Sequence, residues 1–468
     1  MLARVSKHET DLTVGPIMKK LIIYALPLIG VNILQLVFNA TDIAILGLFS
    51  PRRDSAVAAV GATTALINLI LGLFIGISIG ANVAVARSSG AKDIDRSRRL
   101  VGTSILFSLI FGFVILVFGY SMSKQFMIWM KCDNNVIDLA VKYLQIYFLG
   151  TPVILLYNFS ASIMRATGDT FRPFLYLVIG GVLNVILNIF FITVLSMDVD
   201  GVAIATISSQ GVSAILSLVS LCKSDGYARL SFRYFKIYKC ELVDVLKIGL
   251  PVGLSKCFFS LSNVAFQSAI NELGENAMTA HSIGHYVDAF ANEALHGIAL
   301  AALSFLSQNI GAKKIDRVKK TILCSYVLIL ISGLAMGIVS ILLAPIISGI
   351  MTRNENIIKL ACERIYLLGG TCVFAGLLNL SQEMLRGLGK SFLAMFIALT
   401  GACALRLIYI NTLYLINPSH FMVYIAYPIT WFVTAVALII AMIPTYKKCR
   451  NNILYSNKQE IGKEVESE

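Results

Sequence analysis

The sequence predicts an all-α membrane protein, with twelve transmembrane helices in two pseudo-symmetric six-helix bundles, arranged as a parallel repeat around a central cleft. Three observations lead there. Of 468 residues, 57% are hydrophobic and 14% charged, against about 25% charged in an ordinary soluble domain, and the mean hydropathy is +0.79. The apolar residues gather into stretches long enough to cross ~30 Å of hydrocarbon as helices. The second half of the chain also repeats the first.

In chain order the apolar stretches run over 18–47, 57–86, 100–122, 137–163, 172–196, 201–222, 245–270, 278–307, 321–347, 361–384, 392–416 and 421–444. Backbone inside a bilayer must satisfy its own hydrogen bonds, and unbroken apolar runs lack the alternation of barrel strands, so each stretch reads as a helix. The first has Lys19 and Lys20 at its start and continues apolar beyond them for longer than a signal-peptide core, so it is expected to remain in the mature protein. The nine cysteines form no CxxC pair, which argues against a disulfide framework or a zinc site.

An even number of spans puts both termini on one side, and basic residues choose it. One set of connections carries clusters such as Arg87, Lys92, Arg96, Arg98 and Arg99, or Lys313, Lys314, Arg317, Lys319 and Lys320. The opposite set carries only Arg52, Arg53, Lys124, Lys131, Lys142, Arg353, Lys359 and Arg364. Positive-inside bias therefore predicts cytoplasmic termini in the plasma membrane. The net charge of +13 reads as topology and contact with anionic membrane lipids, not as nucleic-acid binding.

The repeat is explicit. Gly90 to Arg99 (GAKDIDRSRR) returns as Gly311 to Lys320 (GAKKIDRVKK), and Asn158 to Thr170 (NFSASIMRATGDT) returns at the same offset as Asn379 to Ser391 (NLSQEMLRGLGKS). Leu26, Pro27 and Asn39 reappear as Leu250, Pro251 and Asn263 at a slightly larger offset. Six spans per copy make the repeat parallel, the geometry of alternating access around a cleft. The expected organisation is an N-terminal bundle over 1–225, a cytoplasmic linker over 226–244, a C-terminal bundle over 245–446 and a cytoplasmic tail over 447–468.

Polar residues inside the spans mark candidate sites, because ionisable groups there tend to face a cavity or a partner. Asn32, Gln35, Asn39 and Asp42 share one face of the first span. At a rise of ~1.5 Å per residue, Asn184 and Asn188 lie ~18 and ~24 Å inward from Arg172, and Thr206 lies ~9 Å inward from Asp200. Asp42, Asn184, Asn188 and Thr206 are therefore expected to converge in the outer half of the N-terminal bundle. The set could hold a hard monovalent cation such as Na⁺, or Asp42 could carry H⁺; hydrogen bonding between helices alone is the plainer alternative. Pro27 and Pro251 remove helical hydrogen bonds and are candidate hinges.

The C-terminal bundle carries a second cluster. His281, His285, Asp288, Asn292 and His296 follow one face of the eighth span beside Glu293, while Lys256, Ser260, Asn263 and Gln267 line the seventh. An ion pair from Lys256 to Glu293 or Asp288 is expected, in a cavity for an anionic or zwitterionic group or as a purely structural bridge. Arg406, deep in the eleventh span, reads as a cavity charge. Gly72, Gly76 and Gly80 read as a seam for close helix approach.

Several of these residues carry a resemblance to a known family. Gly15-Pro16-Ile17, the stripe ending in Asn39-Ala40-Thr41-Asp42, the repeated Gly-Ala-Lys loops, Met164-Arg165-Ala166-Thr167-Gly168-Asp169 and Gly201-Val202-Ala203-Ile204-Ala205-Thr206 resemble the multidrug and toxic compound extrusion (MATE) family over residues 15–445. The resemblance implies outward transport of organic, often aromatic and cationic compounds in antiport with Na⁺ or H⁺. In members with an N-lobe cation site, the ligands match Asp42, Asn184, Asn188 and Thr206, and the first-helix proline matches Pro27. This chain departs at Asn188, where the family pattern has aspartate, and at Lys256, where other members can carry an acidic residue nearby.

The expected function is secondary-active efflux, by a chain that is monomeric, not an enzyme and without a cofactor. The alternatives are a lipid-linked oligosaccharide flippase of the same superfamily and a non-transporting membrane receptor or assembly protein.

Overall fold

A computed structural model describes residues 9–50, 52–271, 273–416 and 419–467. All regular structure among them is helical: α1 (Ile17–Phe49), α2 (Arg53–Gly90), α3 (Ile94–Trp129), α4 (Ile137–Leu149), α5 (Thr151–Ala166), α6 (Phe171–Ile189), α7 (Val199–Lys223), α8 (Lys239–Asn271), α9 (Glu275–Gly311), α10 (Ile315–Met351), α11 (Glu355–Gly370), α12 (Cys372–Gly387), α13 (Ser391–Ala398), α14 (Leu405–Ile410), α15 (Leu413–Ile416) and α16 (His420–Ser467). Among the described residues, nine helical segments are long and apolar enough to cross a membrane, and eleven if each of two bent pairs counts as one span.

Each of the twelve expected stretches falls on one helix or on consecutive helical segments. The fourth and tenth are the ones with a sharp break. Helices α4 and α5 meet at 50°, and α11 and α12 at 49°. At the first break the Thr151 hydroxyl donates to the Phe148 carbonyl at 2.8 Å and to the Gly112 carbonyl at 3.0 Å. At the second, Thr371 Oγ1 donates to the Leu367 carbonyl at 2.8 Å. Carbonyls freed by a bend in hydrocarbon need such donors.

The chain divides into two compact units. One comprises Met1–Asp11 and Gly30–Gly253, the other Leu12–Ile29 and Leu254–Glu468. One division precedes α1, between Asp11 and Leu12, and the other two lie inside α1 and α8, shortly beyond Pro27 and Pro251.

Within the first unit, α5 packs on α2, α3 and α7, and α6 packs on α7. The second is built around α9 and α12, with α10, α11 and α16 against them. The large exposed apolar side chains, such as Phe113, Val117 and Phe118 on α3 or Leu342, Ile346 and Ile350 on α10, form helix faces suited to acyl chains.

The internal duplication is visible in backbone detail. The Gly-Ala-Lys loops close with left-handed lysines, Lys92 at φ 59° and Lys313 at φ 54°, and the later loops with Gly168 at φ 94° and Gly389 at φ 84°. In the first unit the loop is tied down by Asp93, which caps α3 by accepting from Arg96 N at 2.9 Å, and by Arg99 and Arg96 pairing with Glu241 and Asp244 at 2.6 and 2.7 Å. In the second, Arg317 donates to the Gly15 carbonyl at 2.9 Å and Lys314 to the Thr13 carbonyl at 3.0 Å.

The expected glycine seam lies between α2 and the first part of α8, within the first unit. A Cβ on Gly76 would stand 2.3 Å from the Gly253 backbone, and one on Gly80 would stand 2.1 Å from the Val245 carbonyl oxygen. Backbone cannot yield as a side chain can. Gly80→Leu should therefore fail to give a folded monodisperse protein, and Gly76→Ala should cost at least the ~1–3 kcal/mol of an overpacked core. Thermal unfolding of the detergent-solubilised variants checks both.

Candidate functional site

The N-terminal site assembles from three helices of the first unit. On α6, Gly180 and Gly181 present bare backbone: a Cβ on Gly181 would overlap the Phe38 ring of α1, and one on Gly180 would stand 2.2 Å from Ser213 Oγ of α7. Ser213 Oγ also donates to the Tyr176 carbonyl at 2.9 Å, clamping α7 to α6. This close approach carries Asn184 and Asn188, further along α6, to Asp42 and Thr206.

There the four side chains bond to one another. Asn188 Nδ2 donates to Asp42 Oδ1 at 2.6 Å and to Asn184 Oδ1 at 3.2 Å. Thr206 Oγ1 donates to Asp42 Oδ2 at 3.3 Å, and Asn184 Nδ2 to Thr206 Oγ1 at 3.4 Å. Asp42 is 8% exposed, Asn184 4% and Asn188 0%. Among the described residues no basic side chain hydrogen-bonds the carboxylate; amides and a hydroxyl hold it.

The donor set fits a hard monovalent cation. Asp42 offers two oxygens, Asn184 and Asn188 one carbonyl oxygen each, and Thr206 a hydroxyl. Asn188 Oδ1 is buried with no hydrogen-bond partner among the described residues, which leaves it free to serve as one of these ligands. One carboxylate equally suits a single proton. Among the described residues no group of three or more His, Cys, Asp or Glu side chains could hold a metal, so a multivalent metal centre finds no support in these side chains.

Sequence reasoning missed Tyr143 and Tyr147 on α4, both near enough for the Asp42 charge to act on their hydroxyls. Their spacing of four in an apolar span was the available signal. A wide helical turn, Phe190–Val194, follows Asn188 directly, and such π-type turns often accompany functional positions. Beyond it the Ser50 hydroxyl donates to Asp198 at 2.5 Å, and Lys142 pairs with Asp200 at 2.9 Å, joining the C-terminal end of α1, α4 and the N-terminal end of α7.

In the second unit the expected cluster separates into two groups. Asp288 does not pair with Lys256. Its partner is Arg364 on α11, at 2.6 Å, a residue that charge counting had placed on the outer surface and that is 1% exposed. A guanidinium this deep sits beside Gly284, where a Cβ would stand 2.6 Å from Arg364 Nη1. His281 stacks on His285 and Tyr424, with centroids 6.2 and 6.3 Å apart, and Arg364 lies 5.7 Å from the Tyr424 ring. Arg406 donates to Asn263 Oδ1 at 3.3 Å.

The other group lies further along α9. Asn292 accepts from Asn379 Nδ2 at 2.8 Å. His296 Nδ1 is 3.7 Å from Glu293 and its Nε2 is 4.0 Å from Glu383. Glu383 pairs with Arg386, which also donates to Gln382 Oε1 at 3.0 Å. Lys256 is close enough to Glu293 for its charge to act on that carboxylate. Arg364, Glu383 and Arg386 are the polar members that sequence reasoning did not place here.

Comparison with known proteins follows these two sites. The family model MatE matches residues 27–190 and 251–411. The probable multidrug resistance protein YoeA of Bacillus subtilis is 28% identical over 345 residues, covering 72% of this chain and 74% of that protein. The probable multidrug resistance protein NorM of Thermotoga maritima is 25% identical over 399 residues, covering 84% and 85%. Among solved structures, an outward-facing multidrug resistance MATE family transporter superposes with a TM-score of 0.89 at 22% identity, covering 96% of this chain and all of that one. A MOP superfamily transporter from Pyrococcus furiosus, described as having a binding pocket of reverse polarity, gives 0.87 at 23%, covering 96% and 99%.

Two outcomes follow from the geometry. Asn188→Asp adds a second carboxylate to the oxygen cluster, so Na⁺ should raise its melting temperature more than it raises that of the native protein; equal shifts would separate Asn188 from any Na⁺ ligation. Asp288→Ala leaves Arg364 buried and uncompensated and should cost about 3–5 kcal/mol in thermal or denaturant unfolding. The double variant Asp288→Leu, Arg364→Met should regain most of it.

Proposed function

The chain belongs to the MatE family, and on that premise we propose that it is a secondary-active exporter of small organic, often cationic and aromatic compounds. Export is driven by inward H⁺ or Na⁺ through alternating access. The observation that carries this reading is the Asp42 carboxylate, buried among lipid-facing helices and held only by neutral partners. A fixed basic partner would neutralise it permanently; amides and a hydroxyl leave it able to take up and release a cation. Coupling needs this property, since a ligand shifts a two-state equilibrium only by its differential affinity for the two states.

Relatives named as multidrug resistance proteins support an organic substrate. In this reading Asp42, Asn184, Asn188 and Thr206 hold the coupling ion, with Pro27 and Pro251 as the joints at which α1 and α8 bend. Lys256, Asn263, His285, Asp288, Asn292, Glu293, His296 and Arg406 belong to the substrate-facing C-terminal cluster. The protein works as a monomer in the plasma membrane with both termini cytoplasmic, as the basic connections suggest.

The test is efflux of a fluorescent organic cation such as ethidium from reconstituted liposomes, under separately imposed pH and Na⁺ gradients. Asp42→Asn should reduce gradient-driven export to the leak rate while leaving the melting profile unchanged. Native-level export by that variant would remove Asp42 from the mechanism.

A further inference from the structure

Carried into the last span, the internal repeat aligns Val202-Ala203-Ile204-Ala205-Thr206 with Val423-Tyr424-Ile425-Ala426-Tyr427. The offset that takes Asn39 to Asn263 takes Asp42 to Phe266. Where the first unit has a carboxylate and a hydroxyl around its cation site, the second has a phenyl ring and a phenol. The two rings meet edge to face, with centroids 4.7 Å apart at 73°.

A cation of the chain itself lies over them. The Arg406 guanidinium carbon is 4.4 Å from the Tyr427 centroid and 5.5 Å from that of Phe266, with the residue 3% exposed. Its polar contact is the bond to Asn263, and its Nε is buried without a hydrogen-bond partner. Among the described residues no carboxylate comes within 4.0 Å of it, whereas Arg364, 6.0 Å from the same Tyr427 ring, has Asp288. Two guanidiniums flank one phenol, and one carboxylate serves them.

We propose that the second unit is a charge-inverted copy of the first, and that Arg406 binds the carboxylate of an aromatic substrate whose ring lies along Phe266 and Tyr427. Aromatic contacts engage the face of a guanidinium and leave its edge, where the N–H bonds radiate, for a planar two-oxygen acceptor. Lysine offers no such fork. A buried cation without an anion is costly in hydrocarbon, and an arriving carboxylate removes that cost. Aromatic acids and zwitterions then join organic cations among the substrates, their carboxylate recognised by the second unit while the first handles the coupling cation. Only the word substrate rests on the exporter reading; the site itself does not.

The experiment is equilibrium binding to the full chain in phosphatidylcholine nanodiscs, without any gradient, of 2-naphthoate, its neutral isostere 2-naphthamide and 2-naphthyltrimethylammonium. The native protein should prefer naphthoate over the amide by about tenfold, the scale of one charge-assisted hydrogen-bonded pair. Arg406→Gln should abolish that preference, and Arg406→Lys, which keeps the charge and guards against a folding defect in the first variant, should weaken it severalfold. Asp42→Asn, which stops export, should leave it intact. Equal binding of naphthoate and amide by the native protein, or an unchanged preference in the folded Arg406 variants, overturns the proposal and leaves Arg406 as a structural cation.

Discussion

Inside hydrocarbon a polar side chain has no water to fall back on, so its partner must come from a neighbouring helix, and the helices must come close enough to supply it. This requirement organises both units. Gly180 and Gly181 let α1 and α7 press against α6, and Asp42, Asn184, Asn188 and Thr206 can bond to one another because of it. Gly284 does the same for Arg364 and Asp288.

The two copies answer the same requirement with different chemistry. In the first unit the hydrogen-bonding partners of a lone carboxylate are neutral groups. In the second, Glu383 and Arg386 pair within a single helix and Asp288 and Arg364 pair between two, so four of its charges are committed in two pairs. A committed pair stabilises an arrangement once formed but has little left for an exchangeable ion. The matching left-handed lysines and glycines of the loops show a common scaffold. Divergence has fallen on the side chains lining the interior, which backbone geometry tolerates most readily.

Much of this was legible in the sequence because membrane helices declare themselves by composition. All twelve apolar stretches fall on helical segments, and Asp42, Asn184, Asn188 and Thr206 meet as a count of helical rise from the loops had suggested. The rise is constant, so depth can be read along one helix. Partnership across helices cannot. Depth along the helices offers Lys256 either Glu293 or Asp288, with Glu293 at its level; Asp288 meets Arg364 instead, while Lys256 lies near enough to Glu293 for its charge to act there. Arg364 itself was assigned to the surface because charge counting treats a basic residue near a span end as a topogenic signal, whereas helix α11 carries it inward. The breaks in the fourth and tenth spans were hidden too, since Gly150 and Thr371 interrupt neither apolarity nor length.

Those breaks give each copy a span made of two rods. A straight rod that turns at one end must turn at the other, but across a 50° elbow the tilt of one half need not be passed on to the other. In the first copy one half, α4, carries Tyr143 and Tyr147, within reach of the Asp42 charge, while the other, α5, is wedged among α2, α3 and α7. The elbow therefore works as a mechanical decoupler. Chemistry at the α4 end can be retuned by drift in one short segment without loosening the masonry beneath it.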